Sequence, residues 1–261
     1  MTTQYNSTER DSSILSNLKL PGTFVATQIP PYLRNIILNR VFRKLLKELK
    51  FIFISPNKRS YHSDCLGYDP KLDSLNKPTK LHGYFQTWYY PLFVRDIVSL
   101  ALNNEAYLSS YAKDLIAKMK SRKILVVHIR LGDYKNSQNS FIGVLSPDYY
   151  GAILKRPELK EYQVFVFSDD ITDAKSEYSK FFPSNTTWVD EGNTLNPVET
   201  LVVMSHGKAF AIANSTFSWW SAFLSQDSEI IIAPTKWFKE EGDPKDLIPS
   251  DWHREVSQWI N

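Results

Sequence analysis

The chain has 261 residues, of which 43% are apolar, so it is long and apolar enough for one large or two modest domains with a real core. Its net charge is +3, from 31 basic against 28 acidic residues, and so weak an excess does not by itself indicate nucleic-acid binding. The single cysteine, Cys65, excludes an internal disulfide, and no apolar run reaches the roughly 20 residues of a membrane span, so we expect a cytoplasmic protein.

Residues 1–120 are expected to be mainly helical and to form an N-terminal domain. Apolar residues recur at three- to four-residue spacing through 33–50, with basic residues among them. This basic stretch is either a solvated helix face or a peripheral contact with an anionic membrane surface. A short apolar run at 51–54 is a candidate strand. Residues 55–80 are rich in Pro, Lys, Asp and Ser and predict a long irregular connection, after which helical periodicity resumes through 94–119.

Residues 121–261 alternate between short apolar runs and helical stretches, and this alternation predicts a parallel sheet covered by helices. The expected strands are 124–130, 163–167, 187–189, 209–213 and 230–233. The expected helices are 147–155, 172–181, 197–206 and 217–224. Ligands of such sheets bind beyond the carboxyl ends of the strands, so polar residues at those ends are candidate site residues.

His128 and Arg130 lie where the first of these strands ends. Side chains alternate along a strand, so both point to the same side, opposite Val127 and Ile129. The guanidinium of an arginine is a fixed fork of donors that fits a phosphate or a carboxylate. Two interpretations remain open on these residues alone. Arg130 binds an anionic ligand, or it forms a structural ion pair with Asp133 while His128 is a core histidine.

Asp169 and Asp170 follow the second strand. They are either caps of the helix expected from residue 172 or a carboxylate pair for a metal that accompanies a diphosphate, and the position of the helix favours the cap.

The third strand end leads into a helix through Asn214, Ser215 and Thr216, with Ser218 in its first turn. Hydroxyls and free backbone N–H groups at a helix start can cradle an anion, whereas the alternative is an ordinary cap with Trp219 and Trp220 packed in the core. Together with Arg130, this second anion-binding feature suggests a ligand that carries a diphosphate. Neither G-x-G-x-x-G nor a P-loop occurs in the sequence.

Three segments resemble the motifs of the α-1,2-fucosyltransferases, glycosyltransferase family 11. They are HIRLGDY at 128–134, FVFSDD at 165–170 and IANSTFSWW at 212–220. The resemblance covers roughly 68–252 in the order and spacing of the family. It implies a GT-B architecture in which residues 1–120 form an acceptor-side domain and residues 121–261 a Rossmann-like domain that binds a GDP-sugar. The family's G-G-x-G-N-Q loop is not found, so we expect the N-terminal domain to be incomplete.

The resemblance also implies inverting transfer of L-fucose from GDP-β-L-fucose to the 2-hydroxyl of a galactoside, without a metal ion or other cofactor. In that picture Arg130 neutralises the leaving diphosphate, and His128 contacts the nucleotide or orients Arg130. The remaining residues implied to bind the donor are Asn214, Ser215, Thr216 and Ser218 at the phosphates.

Glu199 is a candidate for the guanine edge, with a solvated helix surface as the alternative. Asp133 is the carboxylate nearest in sequence to Arg130, the residue implied to bind the leaving group. It is either the base for the acceptor hydroxyl or a residue that stabilises the turn.

The expected partners are a GDP-sugar donor and a galactose-containing oligosaccharide or glycolipid acceptor, with no nucleic acid. Two other functions fit the same residues. The chain could be a truncated, non-catalytic relative that binds GDP or a glycan, or a transferase that uses another GDP-sugar.

Overall fold

The structure, a computed structural model, describes residues 60–75, 79–102, 108–136, 139–189, 192 and 194–260. The predictions for residues 33–50 and 51–54 lie outside these ranges. In chain order the described strands are β1 Ser60–His62, β2 Lys80–His82, β3 Ile124–Ile129, β4 Gln163–Ser168, β5 Thr187–Trp188, β6 Ala209–Ala211, β7 Ile230–Pro234 and β8 His253–Glu255. The described α-helices are α1 Tyr89–Leu92, α2 Arg95–Leu102, α3 Ser110–Lys120, α4 Pro147–Leu154, α5 Ile171–Tyr178, α6 Pro197–Met204 and α7 Thr216–Leu224.

Six strands form one parallel sheet in the order β5-β4-β3-β6-β7-β8, which confirms the predicted α/β fold class. β3 is flanked by β4 on one side and by β6 on the other, so the chain builds the sheet outward from β3 in both directions. This is the strand order of a doubly wound dinucleotide-binding sheet, in which ligands bind where the order reverses. The reversal lies between β3 and β6, and we call this place the switch point.

Successive residues of a strand point to opposite sides of the sheet. Helices cover both sides and bury the apolar side chains there. Ile124 and Val126 of β3 pack on one side into a core shared with α2, α3, α6 and α7. Leu125, Val127 and Ile129 pack on the other side with residues of α4 and α5. β3 is buried along its whole length, as the central strand of a two-sided sheet should be.

Three short strands were not expected from the sequence. β1 lies within the region 55–80, where an irregular connection was predicted, and pairs in parallel with β2, which begins at the end of that region; His62 lies opposite His82. β8 extends the large sheet at one edge, beside β7. Each has three residues and carries charged or polar side chains, so none shows the apolar alternation by which a strand is recognised. Pairing with a neighbouring strand defines them instead.

Candidate active site

Arg130, Asp169 and Asn214 follow the carboxyl ends of β3, β4 and β6, the three strands around the switch point. The predicted alternation is confirmed for the residues within β3, whereas Arg130 lies one residue beyond the strand. The His128 ring lies against Phe217 of α7, with ring centroids 5.9 Å apart, while Val127 and Ile129 lie in the core of the other face. The sheet therefore brings residues from all three sequence motifs to one edge.

The Arg130 guanidinium contacts two carboxylates. Its Nη2 donates to Oδ1 of Asp133 at 2.6 Å, and its Nη1 lies 3.4 Å from Oδ2 of Asp169. Burial alone would lower the pKa of Arg130, but the charges of Asp169 and Asp133 outweigh it and raise that pKa above its ordinary value. The guanidinium also stands over the ring of Tyr134, 5.2 Å from its centroid. Arg130 is therefore a fixed cation. The ion pair with Asp133 that the sequence left open is formed, and ligand binding by Arg130 stays a prediction.

The two aspartates after β4 do different things. Asp170 caps α5, because its Oδ1 accepts from the backbone N–H of Asp173 at 3.0 Å. Asp169 instead turns toward β3, where its Oδ1 accepts from the backbone N–H of Leu131 at 2.9 Å. A Cβ at Gly132 would lie 2.1 Å from Oδ2 of Asp169, so this approach requires a glycine there.

His128 is buried, with 3% of its surface exposed, and burial next to Arg130 lowers its pKa to about 3. The imidazole is therefore neutral at physiological pH. Its Nδ1 has no hydrogen-bond partner among the described residues. A neutral ring can accept as well as donate, so His128 can serve a ligand group of either kind.

Asn214 holds the loops around the end of β6. Its Nδ2 group shares its hydrogens among the carbonyl oxygens of Ile142, Gly143 and Trp237, at 3.0 to 3.1 Å. Gly143 has φ of +76°, a backbone conformation that favours glycine. The Asn214 Oδ1 atom is buried without a hydrogen-bond partner within the described ranges. The Nδ2 group of Asn214 thus fixes the positions of three loop carbonyls, and Oδ1 is the atom of this amide that is left for a ligand.

The start of α7 faces the same edge. Ser215 is the N-cap, yet within the described residues its side chain caps no backbone N–H group. Ser218 is buried, and its hydroxyl donates back to the carbonyl of Ser215 at 3.1 Å. Thr216 is exposed at the first helical position. The first turn of α7 therefore offers backbone N–H groups and the Thr216 side chain to a ligand, whereas the Ser218 hydroxyl is already engaged.

Glu199 is neither solvated nor free. It is 4% exposed, and it forms a capping box with Asn196, whose backbone N–H donates to its Oε2 at 3.0 Å. Its Oε1 accepts from the backbone N–H of Ser109 at 2.7 Å, which joins α6 to the start of α3. Burial raises the pKa of Glu199, but these hydrogen bonds outweigh burial and lower it.

Three tyrosines brace the switch point, and their contacts were not predicted from the sequence. Tyr149 and Tyr150 are adjacent on α4 and donate to the carbonyls of Ile212 and His128, both at 2.9 Å. Tyr134 donates to the carbonyl of Asn214 at 3.1 Å, so it joins the loop after β3 to the loop after β6. The sequence signal was present only for Tyr134, which lies inside the first motif.

The chain matches the sequence profile of Glycosyl transferase family 11 over residues 37–254. It belongs to this family. Two curated proteins of Escherichia coli are similar to it: an alpha-1,2-colitosyltransferase, 36% identical over 150 residues, and the O-antigen biosynthesis glycosyltransferase WbnK, 31% identical over 176 residues. The matches cover 55% and 66% of this family 11 chain and 51% and 53% of the relatives, so the chain spans about half the length of each.

A solved structure, the E. coli ADP-heptose LPS heptosyltransferase II, matches with a TM-score of 0.35 and 13% identity over 57% of this chain and 46% of that one.

Among the residues that the structure describes, no helix has the length and apolar character of a membrane span. No group of three or more His, Cys, Asp or Glu side chains in those residues is arranged to hold a metal ion.

Proposed function

We propose that this chain is an inverting glycosyltransferase that moves L-fucose from GDP-β-L-fucose to the 2-hydroxyl of a galactose-containing oligosaccharide or glycolipid. The observation that carries the proposal is the Arg130 guanidinium at the switch point of the sheet, over the ring of Tyr134, whose hydroxyl donates to the loop before α7. Family membership and the similarity to an enzyme named for α-1,2 transfer support the same reaction class.

In the proposed reaction an acceptor oxygen attacks C1 of the donor sugar, and the bond from C1 to the diphosphate breaks. The electron pair of that bond leaves with GDP, so negative charge grows on the diphosphate. Arg130 and the first-turn N–H groups of α7 stabilise that charge from fixed positions. Arg130 thus takes the part that a metal ion plays in other transferases, and we propose that no metal is required.

The proton of the acceptor hydroxyl needs a base, and Asp133 is the proposed one. Its carboxylate is half exposed beside Arg130, where both the leaving group and an entering acceptor can reach it. His128 is proposed to contact the nucleotide or to orient Arg130, because its Nδ1 has no hydrogen-bond partner among the described residues.

The other residues predicted to bind the donor are proposed to act less directly. We propose that Asn214 and Ser218 act on the donor by holding the loop and the helix start, since their donor groups are engaged there. Ser215 and Thr216 present the backbone of the first turn. For Glu199 to bind the guanine edge, a guanine N–H must replace the backbone N–H of Ser109 as the donor to its Oε1.

A second candidate is transfer of a different GDP-linked sugar. It is favoured by the similarity to a protein named for transferring colitose. A third, binding of GDP without transfer, remains as an outcome of the test.

The test is an assay of the full chain with a galactose-terminated oligosaccharide and GDP-linked fucose, colitose or mannose, each with and without EDTA. We expect transfer from GDP-fucose, an α-1,2 linkage in the product by NMR, and equal rates with EDTA. Preference for another donor replaces the first candidate by the second. GDP binding without transfer or donor hydrolysis supports the binding protein, and the absence of GDP binding rejects all three. Loss of rate with EDTA contradicts the metal-free step.

A further inference from the structure

The two carboxylates that contact Arg130 are held in different ways. Asp169 comes from the end of β4 and is 19% exposed, whereas Asp133 lies three residues after Arg130 and is 52% exposed. Both are close enough to neutralise the guanidinium, yet a diphosphate that binds Arg130 needs part of the same donor fork. Arg130 has N–H groups that neither carboxylate engages, so a diphosphate does not require both contacts to open. A phosphate oxygen that binds Nη2 in the way Asp133 does takes the place of that one contact.

Asp169 is fixed by the backbone beneath it. Its Oδ1 accepts from the N–H of Leu131 at 2.9 Å, and its Oδ2 fits against Gly132, where no Cβ stands in the way. Movement of this carboxylate would leave the N–H of Leu131, next to a buried strand end, without this acceptor. Asp169 therefore remains in place.

Asp133 is held much less tightly. Its turn is secured through the backbone, since its carbonyl accepts from Nδ2 of Asn139 at 2.9 Å and from the N–H of Asn136 at 3.2 Å. The carboxylate can leave Arg130 without disturbing either bond. Its Oδ1 lies 2.6 Å from Nη2, the position that an oxygen of a bound phosphate takes on an arginine.

We propose that Asp169 is a positioning residue that keeps Arg130 aimed at the donor, and that Asp133 occupies the donor's phosphate position until the donor displaces it. This inference rests on the proposed function, because it concerns the same GDP-sugar site. The displaced Asp133 carboxylate is then free for the acceptor hydroxyl, so donor binding prepares the base. The donor is therefore expected to bind before the acceptor.

The two roles predict opposite effects of the same chemical change. Removing any negative charge near an anion site favours anion binding through the field alone. Asp133→Asn should follow that rule and tighten GDP binding about two- to fivefold. The effect is this small because the ion pair that competes with GDP is partly exposed. Asp169→Asn should break the rule and weaken GDP binding about tenfold, because its amide still accepts from Leu131 but no longer holds Nη1.

The experiment is calorimetry of GDP and of inorganic pyrophosphate with the full chain and its variants. Gly132→Ala is a second route to the same end, because the added Cβ displaces the Asp169 carboxylate without removing a charge. Asp170→Asn is the matched control, since it removes an equal charge one residue away and asparagine caps a helix as well as aspartate does. We expect Gly132→Ala to resemble Asp169→Asn, and the control to stay within about twofold of the unmodified chain.

A spectroscopic signal separates positioning from general stability. The ¹⁵Nε–H resonance of Arg130, assigned by its loss in Arg130→Lys, should shift in Asp169→Asn and Gly132→Ala but not in Asp170→Asn. Asp169→Asn should also have no further effect on GDP binding in the Arg130→Lys background. Tighter binding by Asp169→Asn, or weaker binding by Asp133→Asn, overturns the assignment. Failure of the unmodified chain to bind either probe overturns the proposed function as well, so the two failures can be told apart.

Discussion

The ends of β3 and β6 lie on the two sides of one switch point but are built differently. The end of β3 carries charge: Arg130 between Asp133 and Asp169, in contacts that a ligand can exchange. The end of β6 carries neutral side chains whose donors are engaged within the protein, as in Asn214 and Ser218. We therefore propose that the end of β3 supplies reactivity and the end of β6 supplies shape.

This difference follows from what each side chain can do when buried. An amide or hydroxyl satisfied by carbonyls costs little to bury and fixes a loop, whereas a guanidinium needs a counter-charge that another anion can replace. Substitutions at the two ends should therefore separate in their effects. Changes after β3 should act on turnover, and changes after β6 on stability.

Arg130→Lys is the strongest test of the reactive end. We expect transfer to fall about 10²- to 10³-fold, because lysine keeps the charge but loses the fork that holds a diphosphate. The melting temperature should change little. Arg156→Lys is the matched control, since Arg156 is similarly enclosed and pairs with Glu255 at 2.7 Å, but β8 lies three strands from β3. Near-normal transfer by Arg130→Lys would remove the basis of the proposed reaction.

Asn214→Ala tests the architectural end. It removes the hydrogen bonds to three carbonyls, so we expect the free energy of unfolding to fall by about 2 to 3 kcal/mol, measured by urea titration. Asn139→Ala removes an exposed bond to the Asp133 carbonyl and should cost less than about 1 kcal/mol. Unchanged stability with lost GDP binding would move Asn214 from the architectural to the ligand-binding group.

His128 gives a smaller effect that depends on pH. Burial lowers its pKa to about 3 from an ordinary 6.5, so the unfolded chain binds the extra proton between these values. The stability that this neutral histidine contributes is complete above pH 6.5 and is lost as the pH falls toward 3. Between pH 7 and pH 5 the unmodified chain should lose about 2 kcal/mol more than His128→Gln, by urea titration at each pH.

His253→Gln is the control for that measurement, because His253 is exposed on the edge strand β8. Equal losses in the unmodified chain and in His128→Gln would contradict a buried neutral imidazole.

Much of the sheet was predictable because its central strands are buried on both faces and therefore consist mainly of apolar residues. The expected strands at 124–130 and 163–167 agree with β3 and β4 to within a residue. The strands β1, β2 and β8 could not be predicted, since each has few residues and little burial. Their backbone hydrogen bonds depend on which segment lies beside them, and a single sequence does not contain that information.

The candidate site divides in a similar way. The alternation rule correctly placed His128 opposite Val127 and Ile129, and the cap expected for α5 was found at Asp170. The contact of Asp169 with Arg130 was not foreseen, because residues 39 positions apart meet only through the pairing of β3 with β4. For Glu199 the sequence left a solvated helix surface as the alternative, but the side chain is buried and bonded to the backbone N–H of Ser109.

The sequence by itself determined the parallel sheet, the buried strand that ends at Arg130, and the family, because side-chain pattern and local motifs carry that information. Only the tertiary structure showed that Asp169 accepts from a backbone N–H and that Asp133 is the more exposed of the two carboxylates. That distinction depends on the backbone N–H of Leu131 and the bare Cα of Gly132 lying beneath Asp169, and strand register sets both. Arg130 thus follows β3, while Asp169, the carboxylate proposed to orient it, follows β4.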